Sequence, residues 1–218
     1  MKNICDKFYY FISQQLARIF VFVGLGCYAA YIFVGFLGGM INTPEEALYY
    51  FVSLAFSGLV LAGLLFGYLK GNERLLVVAL VAFLVIRAQS DFVSSLWGLS
   101  FVGNATTTYI LHWVFEFLFA LAVGTFITFV VLNYFFKLFK LNLALEISFF
   151  AVLAFGVLSW IFGIVYAAEG YGWTNGVLPL FLVGAYLFVP GVLEELFPGE
   201  LEGLPPVQKE AEPEEKAE

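Results

Sequence analysis

Arg87, Gln89, Asp91 and Ser94 break into a stretch that otherwise reads LLVVALVAFLVI, and each is of a type that lipid does not accept without compensation. Arg87, Asp91 and Ser94 stand at i, i+4 and i+7, a spacing that puts all three on one face of a helix. Further on, Thr108, His112 and Glu116 recur in four-residue steps and form a second polar stripe. Counted from the outer helix ends at about 1.5 Å per residue, Asp91 and His112 both lie roughly 8 to 9 Å deep, and Arg87 and Glu116 roughly 14 to 15 Å. Equal depth predicts that Arg87 pairs with Glu116 and Asp91 with His112.

Carboxylates and an imidazole held in a low-dielectric interior can exchange protons near neutral pH, as such groups do in pumps and channels. Each charged group near mid-membrane costs about 2.5 to 3.5 kcal/mol on insertion scales, so a cluster of four needs partners or water. The same residues also suit a buried salt-bridge network that fixes the register of a helical hairpin. Weaker polar positions are Thr125, Thr128 and Asn133 further along the second stripe, Tyr28 and Tyr31 in the first apolar run, and Glu146 near the start of the fifth. A path from the cluster to the cytoplasm would be lined by the second stripe together with Glu146.

The elements that must position these residues follow from composition. With 62% hydrophobic and 12% charged residues and a strongly positive mean hydropathy, the chain lies outside the soluble range, and the bilayer is its expected solvent. The 27 phenylalanines and 12 tyrosines suit a lipid-facing surface with aromatic anchors at the interfaces. Apolar runs long enough to cross a hydrocarbon core, which takes about 20 residues, occur over 18–40, 47–69, 75–97, 107–135, 142–167 and 177–196. The expected fold is therefore an all-α integral membrane bundle of six transmembrane helices.

Basic residues orient that bundle. Lys2, Lys7 and Arg18 precede the first run, Lys70 and Arg74 join the second and third, Lys137 and Lys140 the fourth and fifth, and Lys209 and Lys216 follow the sixth. The other three connections, INTPEE, GLSFVGNATTT and AEGYGWTNG, carry no Lys or Arg, so both termini are expected in the cytoplasm. Residues 1–17 form a cytoplasmic or interfacial segment, 18–198 the membrane domain, and 199–218 an acidic tail. Seven of the seventeen acidic residues lie beyond Gly199, and this Pro- and Glu-rich stretch is too polar to offset the entropy of ordering, so it is expected to be disordered. No cleavable signal is expected, because Gln14, Gln15 and Arg18 interrupt the early apolar stretch.

Cys5 and Cys27 lack the spacing of a disulfide framework or metal knuckle, and no phosphate loop, HExxH or GxSxG occurs. One histidine cannot supply a bis-histidine haem, so neither cofactor nor metal is expected. The triplet Asn104-Ala-Thr matches a glycosylation sequon, whose use is not expected in so short a loop. Small-residue pairs, Gly24 with Gly26, Gly35 with Gly39, Gly63 with Gly67 and Ser159 with Gly163, mark close helix crossings.

Three function classes fit. The first is a multi-pass transport protein of the cell membrane that moves a proton, an ion or a small solute through the Arg87, Asp91, His112 and Glu116 cluster, with Gln89, Ser94, Thr108 and Glu146 as secondary lining. The second is a non-catalytic subunit of a larger membrane complex, or a homo-oligomer, with no nucleic-acid partner. The third and least expected is an intramembrane enzyme acting on a lipid or quinone with His112 and a carboxylate as acid and base.

Overall fold

A computed structural model of the protein describes residues 17–100, 106–136, 142–170 and 172–197. The interfacial segment before the first helix, Cys5, the Asn104 sequon, Lys137 and Lys140, and the acidic tail lie outside the described residues. All regular structure within them is helical. We number the helices α1 (Ala17–Asn42), α2 (Ala47–Lys70), α3 (Glu73–Leu99), α4 (Thr107–Val130), α5 (Asn142–Ala168), α6 (Leu178–Ala185) and α7 (Phe188–Leu196). Five apolar helices, within Arg18–Asn42, Pro44–Lys70, Glu73–Leu99, Thr107–Phe135 and Leu143–Ala168, are long enough to cross a membrane and fit an integral membrane protein.

Local sequence sets the helix ends. Gly71 takes a left-handed φ of 60°, a conformation that costs glycine little, and closes α2. Asn72 then caps α3, its Oδ1 accepting from the Leu75 amide at 3.1 Å. The resulting turn is tight because Gly67 lies against the backbone of Leu76 and Gly63 against Ala79, so this glycine pair serves an internal crossing. Thr106 caps α4 by accepting from the Tyr109 amide at 3.2 Å. The far end of α4 loosens into a π-helical turn, Val131–Phe135.

The sixth apolar run is not one helix. Pro190 has no N–H for the Tyr186 carbonyl and its ring crowds that carbonyl, so the helix breaks there. The Tyr186 carbonyl instead accepts from Val189 at 3.1 Å, and Leu187 donates to the Gly184 carbonyl at 3.1 Å, leaving α6 and α7 as short pieces either side of Tyr186 and Leu187.

The long helices pack in chain order, α1 on α2, α2 on α3, α3 on α4, and α4 most extensively on α5. The broken segment fills the gap between α5 and α1 and reaches across to α3. Among the described residues it is deeply buried: Ala185, Tyr186, Phe188, Val189 and Val192 are all fully buried. Gly24 of α1 lets it in, since a Cβ there would meet the backbone of Phe188. Gly26, by contrast, has nothing within 4 Å and takes no part in a crossing. The outward faces of α1 to α5 carry exposed Phe, Leu, Val and Ile, including Phe33, Phe51, Phe56, Leu59, Phe66 and Val78, as a lipid-facing surface would.

Candidate functional site

The buried seam of α3 runs through Leu80, Phe83, Arg87, Asp91, Ser95 and Gly98. Arg87 and Asp91, one turn apart, form a salt bridge through Nη2 and Oδ1, and both side chains are about 95% buried at 6% and 5% exposure. Arg87 Nη1 donates to the hydroxyl of Tyr31 on α1 at 2.9 Å, and the guanidinium carbon lies 4.6 Å from the centre of that ring. The hydroxyl of Tyr186, at the break between α6 and α7, donates to Asp91 Oδ2 at 3.3 Å. Both oxygens of Asp91 and both terminal nitrogens of Arg87 are thus occupied, and only Arg87 Nε is left without a partner.

Glu116 is not part of that pair. Its Oε1 accepts from Ser159 Oγ of α5 at 2.7 Å, and it lies close enough to feel the charges of both Asp91 and Arg87. His112, one turn away on the same face of α4, is 2% exposed. Its ring lies against the backbone of Ser159 and stacks on Tyr166 at 4.8 Å, while its Nδ1 has no hydrogen-bond partner. Gly163 keeps this corner open, because its missing side chain admits the Asn175 carbonyl and leaves room beside His112. The Ser159 and Gly163 pair therefore seats polar groups as well as a close backbone approach.

Equal depth predicted Arg87 with Glu116 and Asp91 with His112; the observed partners differ. Depth fixes height along a helix but not rotation about its axis. Helix α4 turns its polar stripe toward α5, its main packing partner, while Arg87 finds Asp91 within its own helix without spanning any gap. Ser94 and Gln89 are exposed, and Ser95 takes the inward position, its hydroxyl donating to the Phe92 carbonyl at 2.9 Å. Thr108 is half-buried near the start of α4, and Glu146 is half-buried near the start of α5, at the opposite end of the bundle. Thr125 and Thr128 are exposed and donate back to the Leu121 and Gly124 carbonyls at 2.8 Å each, so they do not line a path from the cluster.

Tyr31, one of the weaker polar positions, and Ser159, expected only as a packing residue, complete the site together with Tyr166 and Tyr186, which were not marked. Of the last two, Tyr186 had a sequence signal: it lies four residues before Pro190, where a helix must break. Toward the α2 to α3 turn the cluster ends on aromatic rings. Tyr28 meets Phe83 at 4.9 Å, Phe83 meets Phe188 at 4.7 Å and Tyr186 at 5.6 Å, and Phe119 meets Tyr186 at 6.0 Å. All five of these residues are at most 2% exposed, so the polar cluster is sealed on that side. On the other side it meets Tyr109, Trp113 and Tyr166, with the Tyr109 hydroxyl donating to the Gly98 carbonyl at 2.9 Å.

Chemically the site has two parts: an Arg87 and Asp91 pair whose charges cancel and whose bonds are nearly saturated, and a Glu116 and His112 pair with bonding capacity to spare. Comparison with protein-family profiles, curated proteins and solved structures finds no match to this chain.

Proposed function

We propose that the chain is a six-span protein of the cell membrane, with both termini cytoplasmic, that moves a small charged or polar species through the Arg87, Asp91, His112 and Glu116 cluster. The orientation rests on the basic residues, and the sixth span is the α6 and α7 segment. The observation that carries the transport reading is the incomplete half of the site. A structural polar cluster in lipid should satisfy all its members, whereas His112 Nδ1 is buried with no partner and Glu116 holds a single hydrogen bond. Beyond the cluster the rings of Phe83, Phe119, Tyr186 and Phe188 close it off toward the α2 to α3 turn, so passage requires a second state. The break at Tyr186 is the natural place for the second state to differ, since only short turn bonds, Leu187 to the Gly184 carbonyl and Val189 to the Tyr186 carbonyl among them, join α6 to α7 there.

The second reading, a non-catalytic subunit, draws on the half whose bonds are nearly complete: Arg87, Asp91, Tyr31 and Tyr186 tie α1, α3 and the broken segment together as a structural keystone would. Reconstitution of the purified chain in liposomes, with currents recorded under imposed gradients of individual ions and pH, separates the two. Currents above those of protein-free liposomes are expected. Silence under every gradient, together with other membrane subunits bound at fixed stoichiometry in native mass spectra, would replace the transport reading by the subunit one.

A further inference from the structure

We infer that the species carried is the proton and that Glu116 is its exchangeable carrier, an inference that rests on the transport reading above. The groups around Glu116 are Arg87 and Asp91 from α3, Tyr31 from α1 and Ser159 from α5, with His112 one turn away on its own helix, while Tyr186 of the broken segment is bound to Asp91. Arg87 and Asp91 cancel, so an ionised Glu116 leaves one unbalanced negative charge among them. A cation entering from outside the chain would neutralise it, and the smallest candidates are a proton and a metal ion.

The donor set decides between these two. A hard cation stripped of water needs about six oxygens around it. Both oxygens of Asp91 are engaged by Arg87 and Tyr186, and Ser159 presents its hydrogen rather than a lone pair to Glu116. Among the described residues no three acidic, histidine or cysteine side chains converge as a cation site would require. A proton needs one acceptor, and Glu116 Oε2 is one. An anionic substrate would need a free cation, yet Arg87 has only Nε unspent.

His112 supplies the preceding step. Its partnerless Nδ1 accepts a proton arriving from the α3 to α4 end and the ring becomes an imidazolium. The imidazolium then releases one proton, Glu116 Oε2 takes it, the ring returns to neutral imidazole, and the carboxylate becomes a carboxylic acid. Ser159 Oγ remains on Oε1 throughout, so the carrier keeps its orientation in both states. Net transfer is one positive charge inward from His112 to Glu116, with no other bond made or broken.

The test is proton uptake into liposomes holding a pH-sensitive dye, driven by a potassium diffusion potential with valinomycin. Wild type and Thr125→Val are expected to acidify the interior, Glu116→Asp to retain uptake, and Glu116→Gln to fall to the level of protein-free liposomes while eluting and melting as wild type does. Uptake by Glu116→Gln as fast as wild type would remove Glu116 from the role. Sodium flux in wild type above that of protein-free liposomes, with no change of internal pH, would overturn the proton and leave transport standing, whereas no flux of any ion through folded protein would remove both. Should Glu116→Gln fail to assemble, a hydrophobic carbodiimide applied to wild type decides: blocked uptake with the adduct on Glu116 supports the carrier, and undiminished uptake or an adduct elsewhere overturns it.

Discussion

Arg87 and Asp91 are buried together, and their value depends on staying together. Removing one partner strands the other charge where water cannot reach it, a loss of about 3–5 kcal/mol, while replacing both by apolar residues of similar volume is often neutral or stabilising. Asp91→Ala is therefore expected to destabilise the protein by about 3–5 kcal/mol, and Arg87→Met with Asp91→Leu to recover most of that. Unfolding titrations with SDS in mixed micelles measure both. The Tyr31 and Tyr186 hydroxyls would lose their partners in the double variant, so recovery should stop short of complete by about 1 kcal/mol for each. A single variant as stable as wild type would mean that water or lipid headgroups already reach Arg87.

At the scale of elements, the close entry of the broken segment depends on α1. Gly24 faces the Phe188 backbone, whereas Gly26, two residues on, faces open space. Gly24→Ala should push α7 outward and cost about 1–3 kcal/mol, the usual penalty for overpacking a filled interior. Gly26→Ala should stay within about 0.5 kcal/mol of wild type, as an outward substitution does. Thermal melting of the two variants side by side checks the pair; equal behaviour would show that the α1 and α7 contact is slack. The same contact holds Tyr186 beside Asp91, so the segment with the least regular hydrogen bonding is pinned by packing from α1 and by one polar bond from α3.

At the scale of the whole molecule, the sign of the connecting segments determines how the bundle sits in lipid. The exposed positions Glu45 and Glu73 flank opposite ends of α2 and differ in predicted side. In a Cys5→Ser, Cys27→Ala background, Glu45→Cys is expected to react with a membrane-impermeant maleimide in intact cells, and Glu73→Cys only after permeabilisation. Labelling of both without permeabilisation, or of Glu73→Cys alone, would reject the orientation and with it the direction assigned to proton entry.

Sequence alone determined the class of this protein and the places of its five long helices, though not the break in the sixth run, because lipid demands uninterrupted apolar runs of a set length and forbids exposed backbone polar groups. It also marked Arg87, Asp91, His112 and Glu116, since charged groups in such runs are conspicuous and four-residue steps put them on common faces. Who bonds to whom was decided only by tertiary structure. Tyr31 is 56 residues from Arg87, Ser159 is 43 from Glu116 and Tyr186 is 95 from Asp91, so no local spacing relates them. Those partners depend on how far each helix is rotated about its axis and on where Pro190 breaks the sixth segment. Helix rotation follows from the fit of Gly24, Gly63 and Gly163 against their neighbours, a property of surfaces in contact that periodicity along one helix does not contain.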